Sequence, residues 1–185
     1  MSPTRPRNES FLSLGSNLEP ELHLRQALQE LTRHGRVRAV SSVWESPALG
    51  RPDQPRYLNA VVRFETDLSA EDLICRLIPE IEKRLGRVRS ADKSASRPID
   101  IDLLVFNEET QPVAGHRIPS PEIQERAFVA WPLAELAPGR SCPGGNRTFR
   151  EIAEALGARD LTRRADIQLM HNAIHPESSN EGRSR

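Results

Sequence analysis

Arg97-Pro98-Ile99-Asp100-Ile101-Asp102-Leu103-Leu104-Val105-Phe106 is an aliphatic run interrupted by two carboxylates. Its β-branched residues and its alternation read as a strand. In a strand, residues at i and i+2 share a face, so Asp100 and Asp102 point the same way with Cα atoms roughly 6.5–7 Å apart. The alternation puts Leu104 and Phe106 on their face, and Ile99, Ile101, Leu103 and Val105 on the other. The second face is wholly apolar and needs burial. The first runs from charged to apolar, so the strand is expected to be covered on both sides at its far end. A solvated strand end is the commoner fate of an Asp-x-Asp pair. Carboxylates at the mouth of a doubly covered strand are costly, however, unless they are paired or hold a metal. Two such acids suit a hard cation, and Mg²⁺ is usually held by one or two carboxylates plus substrate phosphates. Arg97 opens the run, and Arg84, Arg87, Arg89 and Lys93 precede it. Acid for a metal beside base for phosphate is the layout expected of an enzyme acting on a nucleotide polyphosphate.

Working outward, Phe11–Leu14 is a short apolar strand ending at Gly15-Ser16-Asn17, a turn signal. Residues 21–32 carry Leu22, Leu24, Ala27, Leu28 and Leu31 at helical spacing, closed by Gly35. Val37–Trp44 reads as one strand, 45–55 as a Pro-rich loop, and Tyr57–Thr66 as another strand. Ser69 and Asp72 form a capping box opening a helix to about Leu85, with Pro79 expected to kink it. Residues 86–96 form a basic, small-residue loop. After the Asp-x-Asp strand comes a turn-rich stretch, 107–117. Residues 121–136 are expected to be partly helical, and Thr148 to cap a helix through Leu156. The order β-α-β-β-α-β is the ferredoxin-like split motif. The fold class is therefore α+β, an antiparallel sheet with two helices on one face and added C-terminal helices. The expected division is a flexible N-terminus over 1–9, one domain over 10–165, and a polar, disordered tail over 166–185.

The chain has 185 residues, 28% charged, with formal net charge zero. A balanced charge argues against general nucleic-acid or membrane binding. With 4% aromatics, an RNA-binding module on this topology would lack its stacking residues. Cys75 and Cys142 form no metal-binding spacing, which fits a reducing cytosol. No apolar run reaches membrane-span length, and the first ten residues lack an apolar signal core. A cytoplasmic monomer is the expectation.

Arg97-Pro98-Ile99-Asp100-Ile101-Asp102-Leu103-Leu104 resembles the signature of the 6-hydroxymethyl-7,8-dihydropterin pyrophosphokinase family. Other blocks match in family order: Phe11–Leu18, Ser46–Gly50, Tyr57–Ala60, Glu82 with Gly86–Arg89, Arg126–Val129, and Trp131–Leu133. The resemblance covers roughly 11–138. It implies an ATP-dependent diphosphotransferase that moves pyrophosphate from ATP to the hydroxymethyl group of a dihydropterin in folate biosynthesis, releasing AMP. By matching position, Asp100 and Asp102 bind two Mg²⁺ ions, and Arg87 and Arg97 join them as catalytic residues. Glu82, Arg87, Arg89, Lys93, Arg97, Ser120 and Arg126 are implied on the nucleotide side. Ser46, Pro47, Leu49, Tyr57, Asn59 and Phe128 are implied around the pterin, with Tyr57 and Phe128 as an aromatic sandwich and Asn59 reading the pterin edge.

Two departures stand out. Many family members have a histidine where Ser120 follows Pro119, with His116 expected to be a solvated loop residue. The loop before Arg97, which often carries Trp and Gly-Pro, here reads Ser94-Ala95-Ser96. These departures motivate a second reading, a divergent paralogue with weak activity or altered pterin or nucleotide specificity. Loops 45–56 and 87–96 are the expected lids.

Overall fold

A computed structural model of the chain describes residues 7–51, 53–88 and 95–169. All of its strand pairs are antiparallel. The order is β5 (Asp100–Phe106), β1 (Asn8–Ser16), β4 (Tyr57–Thr66), β3 (Val43–Ser46), β6 (Thr162–Arg164), with β2 (Arg36–Val40) also on β4. Asn8 pairs with Thr66, so the sheet takes in residues 8 and 9, which were expected to belong to the flexible N-terminus.

The single strand expected over 37–44 is two strands laid end to end along β4. Ser41 explains the break. Its backbone N–H donates to Val61 O at 2.9 Å, and its hydroxyl accepts the Val61 N–H at 2.9 Å. A side chain thus replaces one rung of the ladder, a local competition typical of serine. β3 then continues to Ser46, into the stretch expected to be loop.

Helix α1 (Pro20–Thr32) and the helical segment from Ala70 to Arg84 cover one face. That segment starts as expected, with the reciprocal Ser69–Asp72 box at the head of α2 (Ala70–Asp72). Pro79 has no N–H and crowds the carbonyl four residues back. The turn before it, Leu73–Leu77, widens to π geometry, with the Ile78 N–H donating to Leu73 O, before α3 (Ile78–Arg84) resumes. Leu24, Leu28, Leu31, Leu73 and Ile81 meet Leu12, Leu14, Val62, Phe64, Ile101 and Leu103 in this core. On the opposite face, α4 (Glu122–Glu125), α5 (Ala127–Leu136) and α6 (Phe149–Leu156) bury Ile123, Val129, Leu133, Phe149 and Ile152 against Phe11, Val61, Leu104 and Val105. The Thr148–Glu151 box opens α6 as expected.

The alternation along β5 holds only through Leu104. Phe11 pairs with Val105, but Leu12 pairs with Leu103, so β5 carries one extra residue at Leu104. This bulge corrects two expectations. Val105 packs with Leu104 on the α5–α6 side, and Phe106 turns to the α1–α3 side. A bulge opposes two residues to one and reverses the facing beyond it.

The chain past α6 returns to the sheet as β6, which the sequence reading missed. Ile167 is 6% exposed in the core on the α1–α3 side, with Leu169 packed against it. Ordered packing therefore runs beyond the expected end of the domain at 165. The rest of the expected tail, 170–185, lies outside the described residues.

Candidate active site

The face shared by β1, β4 and β5 changes character along its length. At one end Phe11, Val61 and Leu104 lie under α5 and α6. Two residues along each strand, Ser13, Asn59 and Asp102 replace them, and two further, Gly15, Tyr57 and Asp100. The helices stop short of this end, leaving a cavity of about 310 Å³ lined by these six residues and by Leu14, Ser46, Pro47, Ala48, Leu49, Gln54, Arg97, Glu122 and Phe128. Asp100, Asp102 and Arg97 thus share one pocket with all six residues expected around the pterin.

Asp100 is fully engaged. Arg87 donates to its Oδ1 and Arg97 to its Oδ2 at 2.8 Å. Arg87 also pairs with Glu82. Glu82 is only 7% exposed and accepts the Ile101 N–H at 2.9 Å. A chain of alternating charge therefore runs Glu82–Arg87–Asp100–Arg97, anchored at its inner end on the backbone between the two acids. Burial raises the Glu82 carboxyl above its ordinary range, against the pull of the Ile101 N–H and Arg87. Glu82 and Arg87 stand behind Asp100 and are not among the cavity-lining residues.

Asp102 differs. Among the described residues no hydrogen bond or ion pair reaches its carboxylate. It is open to solvent at the cavity mouth yet crowded by protein. That crowding, with Asp100, Glu122 and Glu82 nearby, pushes its carboxyl up to about 7. An acid held in a field of other acids without a cationic partner of its own is suited to a bound cation. No cluster of three or more metal-ligating side chains occurs among the described residues. Two carboxylates, with other ligands left to water or a phosphate, are a pattern Mg²⁺ accepts.

Across β1 from the acids, Asn59 Nδ2 donates to Ser46 Oγ at 3.0 Å and to Trp44 O at 3.2 Å. Gly15 lies beneath: a Cβ there would stand 3.3 Å from Asn59 Oδ1 and 3.8 Å from Tyr57 Cδ1. The Tyr57 phenol is raised by burial, with the Arg97 guanidinium beside it pulling the other way.

The remaining predicted residues lie at the margin. Arg126 sits in extended backbone at the break between α4 and α5. Its buried Nε makes no hydrogen bond among the described residues. Ser120 has a local engagement: its N–H donates to Leu104 O at 2.8 Å and its hydroxyl accepts the Glu122 N–H at 3.4 Å. His116 is exposed, as expected, its backbone paired with Val113. Arg89, Lys93 and Ser94 lie outside the described residues, and with them most of loop 87–96.

Sequence reasoning missed Ser13, Leu14, Gly15, Gln54 and Glu122 as lining residues. Ser13 and Gly15 were detectable, since they continue the i, i+2 face of Phe11. Glu122 and Gln54 come from irregular segments and carried no periodic signal. Burial raises the Glu122 carboxyl too, partly offset by Arg126.

A family model described as 7,8-dihydro-6-hydroxymethylpterin-pyrophosphokinase matches residues 11–138. A Pseudomonas aeruginosa 2-amino-4-hydroxy-6-hydroxymethyldihydropteridine pyrophosphokinase is 38% identical over 151 residues, covering 80% of this chain and 90% of that protein. Its Bacillus subtilis namesake is 38% identical over 132 residues, covering 70% and 78%. Among solved structures, a Plasmodium falciparum HPPK-DHPS with pteroate superimposes with a TM-score of 0.67 at 13% identity, over 88% of this chain. The chain spans 47% of that structure's length, and this likeness speaks to the fold alone.

Proposed function

The chain belongs to the 7,8-dihydro-6-hydroxymethylpterin-pyrophosphokinase family, and on that premise we propose that it transfers pyrophosphate from ATP to 6-hydroxymethyl-7,8-dihydropterin, a step of folate biosynthesis. The observation that carries this reading is one cavity lined both by the Asp pair on β5 and by Tyr57 and Asn59 on β4, with Phe128. The hydroxymethyl oxygen bonds to the β-phosphorus of ATP. The bond from that phosphorus to the oxygen bridging the α-phosphorus breaks, AMP leaves with that oxygen, and the hydroxyl proton is released.

In this reading Asp100 and Asp102 would hold two Mg²⁺ ions, which when bound would supply charge neutralisation at the phosphate oxygens. Arg87 and Arg97, now committed to Asp100, turn their planar forks to phosphate oxygens when the polyphosphate arrives. The buried Nε of Arg126 awaits an anion in the same way. Glu82, Arg89, Lys93 and Ser120 complete the nucleotide side, with Glu82 acting through Arg87. Such transfers depend on positioning and charge stabilisation more than on covalent help. The pterin lies between Tyr57 and Phe128, its edge read by Asn59 Oδ1, with Ser46, Pro47 and Leu49 as the wall.

The domain extends from about residue 8 to at least Leu169. No helix among the described residues is long and apolar enough to cross a membrane. With both cysteines free and no charge excess, the reading is completed by a cytoplasmic monomer acting on small molecules. The direct test is AMP release from ATP, Mg²⁺ and 6-hydroxymethyl-7,8-dihydropterin. No AMP from folded protein with saturating substrates refutes it. A rate restored only by Ser120→His would favour the divergent paralogue.

A further inference from the structure

Loop 47–56 leaves β3 at Ser46 and enters β4 at Tyr57, and these two residues are paired across the ladder. Outside the cavity both stems meet at one carboxylate. Glu45 Oε1 accepts Arg56 Nε at 2.6 Å and its Oε2 accepts Arg164 Nη1 at 2.7 Å. Arg56 also donates to Asp160 O at 2.9 Å. The residue before Ser46 and the residue before Tyr57 are thus tied to each other and to the C-terminal segment. That segment is itself seated: Thr162 pairs with Glu45 and Arg164 with Val43, and Ile167 enters the core just beyond. Asp166 engages the rest of the Arg164 guanidinium at 2.7 and 2.9 Å, fixing its plane.

We propose that Arg164 is a positioning residue for the substrate end of the cavity, holding β3 through Glu45 and so setting where Ser46, Tyr57 and Asn59 stand. This rests on reading that end as the pterin subsite. The link is the Asn59 amide, whose two hydrogen bonds both go to β3, at Trp44 O and Ser46 Oγ. When β3 shifts, the amide turns with it. One partly exposed ion pair contributes only about 0–1 kcal/mol. The role is accordingly one of placement and not of global stability. A misplacement of about 1 Å can cost roughly a hundredfold in a reaction. Loss of Arg164 leaves the ladder and the Glu45–Arg56 pair in place, so the expected effect is smaller.

Two measurements on the full chain test this with Arg164→Ala, Arg164→Lys and Glu45→Gln. In the first, amide hydrogen exchange without ligand, residues 45–59 are expected to exchange at least about threefold faster in Arg164→Ala, while the β1–β5 ladder stays unchanged. Arg164→Lys, a point charge in place of a fork, is expected between wild type and Ala, and Glu45→Gln is expected to follow Ala. Unchanged exchange over 45–59, or equal acceleration everywhere, overturns the proposal. In the second, steady-state kinetics, the pterin KM is expected to rise about five- to tenfold while the ATP KM and kcat stay within about twofold. No rise, or an equal rise in both KM values, overturns it. If wild type releases no AMP, the proposed function fails, and the exchange measurement alone decides the role of Arg164.

Discussion

Glu82 accepts the backbone N–H of Ile101 at 2.9 Å, and Ile101 is the residue between Asp100 and Asp102. One buried carboxylate therefore fixes the strand segment that presents both acids and, through Arg87, one oxygen of Asp100. Glu82→Ala strands a buried N–H and releases Arg87. The expected loss is about 1–3 kcal/mol, a Tm lower by about 2–4 °C for each kcal/mol, with a fall in kcat. Glu82→Gln still offers an oxygen to Ile101, so it is expected to keep most of the stability and lose mainly the rate. Calorimetry with single-turnover kinetics separates the two. Equal Tm losses in both variants would contradict the backbone role.

The two acids are expected to differ in their effect on stability. Asp100→Ala takes one carboxylate from Arg87, which keeps Glu82, and one from Arg97, side chains only 22% and 20% exposed, at a cost of about 1–2 kcal/mol. Asp102→Ala breaks no hydrogen bond among the described residues and is expected to leave metal-free Tm unchanged or higher. Both are expected to lose Mg²⁺-dependent turnover by at least about a hundredfold. Denaturation in EDTA beside an AMP assay reads both effects, and equal Tm losses would sink the asymmetry.

Burial, then Asp100, Glu122 and Glu82, pushes the Asp102 carboxyl up to about 7. A raised folded-state value means that the fold favours the protonated form. The contribution of Asp102 is thus fully present below its ordinary range near pH 4 and is lost as pH rises through about 7. Metal-free wild type is expected to lose Tm relative to Asp102→Asn from about pH 4 to about pH 7. Water at the cavity mouth screens the charge, so the difference is about 1 kcal/mol or less, or about 2–4 °C. Glu82 and Glu122 shift in the same direction but remain in both proteins. Added Mg²⁺ is expected to reverse the trend in wild type alone. Parallel Tm curves in EDTA would refute the assignment.

Gly15 is the floor beneath the Asn59 amide. Gly15→Ala places a methyl 3.3 Å from Asn59 Oδ1, tight enough to push the amide into the cavity at about 1 kcal/mol or more. Pterin affinity is expected to fall about tenfold with Mg²⁺–ATP affinity unchanged, as read by titration calorimetry. An equal loss for both ligands would show that Gly15 acts on the fold and not on one subsite.

Much of this was legible in local pattern. The two capping boxes, the α1 stripe apart from exposed Leu22, and the shared face of Asp100 and Asp102 follow from the periods of helix and strand, which each segment carries by itself. The cavity's mixed lining followed from motif order, since residues far apart in the chain could be assigned one site only by resemblance. Phe106 and Val105 could not be placed that way. Their facing depends on the bulge at Leu104, which exists only against β1. The break at Ser41 likewise depends on Val61, and β6 on an open edge of β3.

The chain alone determined that two carboxylates would stand together at the polar end of an otherwise apolar strand, because alternation is a property of the extended backbone. Only the folded molecule decided that Arg87 and Arg97 hold one acid while the other keeps no partner among the described residues, that Glu82 acts on the backbone between them, and that Arg164 pairs with Glu45 of β3. Those outcomes are set by which strands pair and in what register, and pairing energies join residues that no local window contains together.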